Sequence, residues 1–380
     1  MTSLTPDEHA SQTPPAAMDG ECADEAPRTL HRPRRAPRRW LVLGLLAAAA
    51  LLIVGLACFN WYVDPGREYR STRASSRVDA LEKLTLIERW KQPPEVLVLG
   101  SSTVMKFDPR EIERITGKTS FNAGISGARP SVDWAIAAYV DELHPGELPE
   151  LVIGLNSFAF YSGNDSWLRQ DARMRRQLDG TGLRAQLRRY TALISLPMAA
   201  DSVTSLYRRA RAFGAAGEPQ GAARAGSRRV DDLGFLLRAY PTDETVVAKR
   251  TTRAAGRYRR VVASWSKEGG EMEAEQAEHF ERLLRFANDQ GRRPIVIITP
   301  ISPRAWDLLA DTTFAAQQRR VVGYLESLHD SLDFTLVDAS HGEMVGVHEP
   351  DFHDASHISA EAATRMLTHA FAERDAQSTP

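Results

Sequence analysis

Apolar positions fall in three patterns along the chain. From Trp40 to Cys58 they are unbroken, WLVLGLLAAAALLIVGLAC. About 19 residues at roughly 1.5 Å each match a hydrocarbon thickness of about 30 Å, so a single transmembrane helix is predicted over 40–58. From Ala74 to Trp90 the apolar residues Val78, Leu81, Leu84 and Ile87 recur at helical spacing and Pro93-Pro94 closes the run, which predicts a linker helix within 59–94. Five short β-rich runs follow: Glu95–Gly100, Phe121–Ile125, Leu151–Asn156, Pro294–Pro300 and Phe334–Asp338. Several are apolar at every position and are separated by helical stretches, the pattern of parallel strands buried on both faces. The fold class predicted is α/β, doubly wound.

Most connections between these runs have ordinary crossover length, but Asn156 and Pro294 are separated by more than a hundred residues, far beyond a usual βαβ link. A largely helical insertion is therefore expected over about 162–270. Between Arg169 and Arg260 it carries about 20 Arg and Lys against about 8 Asp and Glu, an excess near +12. That asymmetry fits either a solvated helical face or a patch for an anionic partner such as phospholipid headgroups or an acidic glycan. Gly214 to Gly226 reads as a flexible loop inside it. Residues 1–39, rich in Pro, Ala, Ser and charge, have little apolar periodicity to offset the entropy of ordering them, and read as a disordered tail.

Charge orients the apolar segment. Arg28, Arg32, Arg34, Arg35, Arg38 and Arg39 precede it, whereas Asn60, Trp61, Tyr62 and Asp64 follow it. The positive-inside rule keeps the N-terminus cytoplasmic and places the C-terminal bulk outside, with Trp40, Trp61 and Tyr62 as interfacial anchors. A buried core helix would leave the arginine cluster without a role. A cleaved signal peptide lacks a clear cleavage site after the run, and Cys58 fits a lipoprotein site poorly because Gly55 stands where Leu is usual. Over the whole chain the formal charge is −1, with 43% hydrophobic residues and two cysteines. This composition excludes a disulfide scaffold and a wholly disordered chain. Neither Cys22 nor Cys58 lies beyond the apolar segment, so chemistry there must use oxygen, nitrogen or a hard metal.

Ligands of open parallel sheets gather beyond the carboxyl ends of the strands. The first run ends Gly100-Ser101-Ser102-Thr103, where a serine on a strand-to-helix turn can expose its hydroxyl with its own N–H facing the same pocket. After the second comes Asn122-Ala123-Gly124; Gly124 is either a turn glycine or a backbone donor to an oxyanion. The third ends at Asn156, whose amide can donate to the same oxygen or cap the next segment. Near the C-terminus, Asp354 and His357 stand three residues apart, so the carboxylate can hold one imidazole nitrogen and leave the other free to take a serine proton.

These four blocks, in this order, resemble those of the SGNH, or GDSL-like, hydrolases, over Glu95 to about Phe371 without the insertion. The resemblance implies a flavodoxin-like five-stranded parallel sheet, Ser102 as nucleophile, and His357 and Asp354 as base and orienting acid. It further implies an oxyanion hole made by the Ser102 and Gly124 amides and the Asn156 side chain. Two departures stand out: Gly-Asp-Ser is Gly-Ser-Ser here, with Ser101 in the aspartate's place, and Ser157 replaces the Asp that often follows the Asn. Both are familiar in membrane-anchored members that act as envelope O-acyltransferases or esterases. The function expected is a serine-dependent acyl ester hydrolase or O-acyltransferase on an exported glycan or lipid, with no cofactor, no metal and no nucleic-acid partner.

Two rivals use other features. His341, Glu343, His348, Glu349, Asp351, His353, Asp354 and His357 crowd one stretch, as a zinc or manganese metallohydrolase would need. A membrane-tethered glycan-binding module could keep the sheet and lose the chemistry. The nucleophile elbow G-x-S-x-G is absent, and Gly117-Lys118-Thr119 lacks the first glycine of a phosphate loop.

Overall fold

The computed structural model describes residues 38–63, 78–156, 158–161, 171–179, parts of 190–207, 230–267 and 270–378. The tail over 1–37 and the Gly214–Gly226 loop lie outside the described residues, as does most of the insertion before Val230. The chain divides into two compact units, Met1–Leu52 and Ile53–Pro380.

Helix α1 (Arg38–Val63) contains the apolar run. It is long and apolar enough to cross a membrane, and none of its most apolar window is buried. Helix α2 (Val78–Ile87) occupies part of the predicted linker, but it does more than join. Ala80, Leu84 and Ile87 are buried in the same core as the sheet.

The sheet contains β1 (Val96–Gly100), β2 (Ser120–Asn122), β3 (Glu150–Leu155), β4 (Ile295–Ile298) and β5 (Thr335–Asp338), all parallel in the order β2-β1-β3-β4-β5. That order is the doubly wound 2-1-3-4-5 arrangement, whose topological switch lies between β1 and β3. The sheet is accompanied by helices α3 (Pro109–Thr116), α4 (Pro130–Leu143), α5 (Ala172–Asp179), α6 (Glu244–Lys267), α7 (Ala274–Asp289), α8 (Pro303–Leu309), α9 (Phe314–Leu328) and α10 (Ala360–Ser378), with short 3₁₀ turns before α10.

The uninterrupted apolar runs are explained by the period of two along each strand. Leu97, Leu99, Leu151, Ile153, Val296 and Ile298 enter one core, with α2, α4, α7 and α9. Val96, Val98, Val152, Ile295 and Ile297 enter the other, with α3 and α10. The regular part of β2 is shorter than predicted, although Ala123–Ile125 stay buried and the Ala123 and Ile125 amides still donate to the Val98 and Gly100 carbonyls of β1.

Local signals fix the helices that follow the strands. Asp108 caps α3 by accepting from the Arg110 amide, Pro109 opens the helix, and Gly117 closes it at φ 72°. Ser302 and Pro303 do the same at the start of α8. Of the insertion, α5 packs on α4, and α6 packs on α8. Between them, residues 230–236 form a tight turn closed by a Val230–Leu236 bridge and laid along the free edge of β2, where the Asn122 amide donates to the Leu233 carbonyl.

Candidate active site

The turn after β1 is shaped by close packing. Gly100 has φ 132°, and a Cβ there would lie 2.4 Å from the Gly154 carbonyl oxygen on β3. A Cβ on Gly154 would meet Val104 Cγ1 at 2.0 Å, and one on Gly124 would meet Val104 Cγ2 at 2.4 Å. Val104, fully buried, thus seats the Ser101–Met105 turn in a slot that only glycine leaves open on both sides. Ser102 is partly exposed at the top of this turn.

The loop before α10 brings the imidazole to it. Asp354 accepts from the Ser356 and His357 amides through Oδ1 at 3.0 and 3.1 Å, which folds the i,i+3 pair into a tight turn. The loop is further closed by the His353 amide donating to the His357 carbonyl, and by the Ser302 amide donating to the Ala355 carbonyl. Both Asp354 oxygens lie 2.8–2.9 Å from His357 Nδ1. On its other side His357 Nε2 is 2.8 Å from Ser102 Oγ. With the carboxylate fixing the Nδ1–H tautomer, Nε2 is the acceptor of the serine proton. Burial alone would raise the Asp354 carboxyl, but hydrogen bonds from the His357 ring and the two amides outweigh it and hold the group at about 2.

Asn156, just after β3, is oriented at both ends of its amide. Its Oδ1 accepts from the Phe158 amide at 2.8 Å and its Nδ2 donates to Ser101 Oγ at 2.9 Å. Ser101 in turn meets Thr103 at 3.1 Å, and Thr299 after β4 donates to Thr103 at 3.2 Å. Ser101 therefore serves this buried hydroxyl chain behind the Ser102 turn. Gly124, expected as an oxyanion donor, makes a different contact here. Its N–H donates to Asn122 Oδ1 at 3.0 Å and is engaged in this conformation, because the Asn122 side chain turns back from the end of β2. The same Oδ1 and the Gly124 carbonyl accept from the fully buried Lys83 Nζ at 3.2 and 2.6 Å.

Three further side chains at the site have no signal in the local sequence. Tyr240, reached through the 230–236 turn, stacks on His353 at 5.0 Å and on His357 at 5.7 Å between centroids. Burial, reinforced by the nearby Asp354 charge, raises its phenol and keeps it neutral. Lys106 lies over the Phe235 and Tyr240 rings and donates to the Leu236 carbonyl; burial lowers its ammonium. Tyr258 of α6 meets Ser356 Oγ at 2.9 Å, so the insertion holds the Asp354–His357 loop from a second side. His353 is half-buried, and burial lowers its imidazole against a hydrogen bond to the Pro241 carbonyl.

The imidazoles and carboxylates that crowd the C-terminal sequence do not converge. His341 stacks on Trp306 at 4.4 Å, Glu349 accepts from the Arg304 amide, and Asp351 pairs with Arg365. Among the described residues no three His, Cys, Asp or Glu side chains form a group suited to a metal ion. No protein-family model matches the chain, and no curated protein matches it.

Proposed function

We propose that the protein is a serine-dependent acyl ester hydrolase or O-acyltransferase of the SGNH-like type, acting on an acyl ester of a glycan or lipid outside the cytoplasm. One observation carries this reading: Asp354, His357 and Ser102 form a continuous hydrogen-bonded relay at 2.8 Å per step. The relay stands beyond the carboxyl ends of parallel strands, where such sheets place their chemistry.

In this mechanism His357 Nε2 takes the Ser102 proton as Oγ attacks the ester carbonyl. The Asp354 carboxylate stabilises the imidazolium that results. The Ser102 amide and the second N–H of the Asn156 side chain hold the tetrahedral oxyanion, each donor being worth about 3 kcal/mol in such sites. Collapse passes the proton from His357 to the leaving alcohol and leaves an acyl ester on Ser102. Water or a sugar hydroxyl, deprotonated by His357, then attacks the acyl carbonyl, and His357 returns the proton to Ser102 Oγ as the bond between Ser102 and the acyl group breaks.

Helix α1, with its N-terminal arginines, motivates the location: a cytoplasmic N-terminus and an extracytoplasmic site near newly exported polymer. The basic surplus of the insertion suits an anionic partner. The test is labelling of the full chain with a fluorophosphonate, together with turnover of an aryl acetate with and without sugar acceptors. Labelling and turnover should both vanish in Ser102→Ala; labelling that persists in that variant rejects the assignment.

A further inference from the structure

The insertion carries a segment in which most of the described apolar side chains are exposed. Between Tyr190 and Tyr207 the sequence YTALISLPMAADSVTSLY has one charged residue, Asp201, and it is bracketed by Arg188-Arg189 and Arg208-Arg209. Its described residues run largely in helical turns. Leu193 and Ser202 face inward and are buried, whereas Tyr190, Ile194, Leu196, Val203, Leu206 and Tyr207 are exposed, Leu196 by 77% and Val203 by 60%. Apolar outside and tethered inside is the reverse of a soluble surface helix.

The tether says what covers this face. Asn60 lies two residues past the apolar run of α1 and is fully buried. Its Nδ2 donates to the Leu193 carbonyl at 2.8 Å, and its Oδ1 accepts from Ser202 Oγ at 2.9 Å. The segment is thus fastened to the chain where α1 would leave a bilayer, beside the exposed Trp61 and Tyr62. Tyrosines at both ends, an apolar middle and arginine pairs next to it in the sequence are the composition of a stretch lying in a lipid interface, with aromatic rings at headgroup depth.

We infer that the exposed apolar residues described between Tyr190 and Tyr207 form a second membrane contact, an interfacial patch that seats the domain on the outer surface of a lipid bilayer next to α1. The inference rests on α1 spanning that bilayer and is independent of the chemistry at Ser102.

The test uses the full chain with Cys22→Ser and Cys58→Ser, reconstituted in phosphatidylcholine vesicles containing phosphatidylglycerol. Nitroxide labels are placed singly through Leu196→Cys, Val203→Cys, Leu46→Cys in α1 and Arg253→Cys on α6, after circular dichroism shows each variant folded. Collision with dissolved oxygen is compared with collision with a water-soluble nickel chelate. Labels at 196 and 203 should favour oxygen, with the same sign as at 46 and the opposite sign to 253. Labels at 196 and 203 that favour the nickel chelate while 46 favours oxygen overturn the patch alone. A water-like signal at 46 overturns the membrane span and the patch with it. Protection from both reagents at 196 and 203 indicates a protein partner and also overturns the inference.

Discussion

The Tyr240 ring lies 5.7 Å from the His357 ring at an interplanar angle of 28°, which places an aromatic face against the imidazole that takes the positive charge in the proposed mechanism. An aromatic face within about 6 Å of a cation contributes roughly 0.5–2 kcal/mol. Tyr240→Ala should therefore lower kcat/KM on an aryl ester by about five- to tenfold. Tyr240→Phe should keep most of the activity, because the stack and not the hydroxyl makes the contact. Equal losses in the two variants would reject the role of the ring.

Asp354 links the site to stability. Its carboxyl is held at about 2 against an ordinary 3.8, so the unfolded chain binds the proton more tightly. The contribution, about 2 kcal/mol, is complete above roughly pH 4 and fades as pH falls through 2. Asp354→Asn should lower the denaturant midpoint near pH 7, with a gap that closes as pH drops through that window. Turnover should fall by a factor on the order of 10³–10⁴, since the imidazole loses its tautomer and its counter-charge.

Lys83 is fully buried on α2 with its ammonium on the Gly124 carbonyl and Asn122 Oδ1. Lys83→Met leaves those oxygens short of a donor and should cost about 1–3 kcal/mol in urea unfolding. Lys83→Arg should not restore stability, because a wider planar guanidinium replaces the single nitrogen that meets both oxygens at a fully buried position.

Gly154 and Val104 should behave as one unit. Gly154→Ala drives a methyl into Val104 Cγ1 and should destabilise by about 1–3 kcal/mol. Adding Val104→Ala should recover part of that loss, giving a coupling of about 0.5–3 kcal/mol in a double-mutant cycle. Strict additivity would mean that the slot between the glycines does not seat the turn.

The strands were legible because burial on both faces writes itself as continuous apolar runs, and those of β1, β3 and β4 lie where the sequence places them. Ser102, Asp354 and His357 were legible because each follows a strand end or stands at turn spacing. Tyr240, Tyr258 and Lys106 were not, since only the path of the insertion brings their elements to the loop before α10. Gly124 could be read two ways. Close backbone approach and a demand for side-chain space select the same residue, and only the position of Val104 and the Asn122 oxygen separates them. Lys83 sat in an apparently ordinary amphipathic helix, where a buried ammonium carries no periodic signature.

The turn at residues 230–236 has a further consequence through the Asn122–Leu233 hydrogen bond. An outermost strand with unsatisfied amides invites a neighbouring copy to pair with it. Here the Asn122 amide on that rim is already paired with the chain's own backbone, which leaves less of β2 open to strand addition by a second copy.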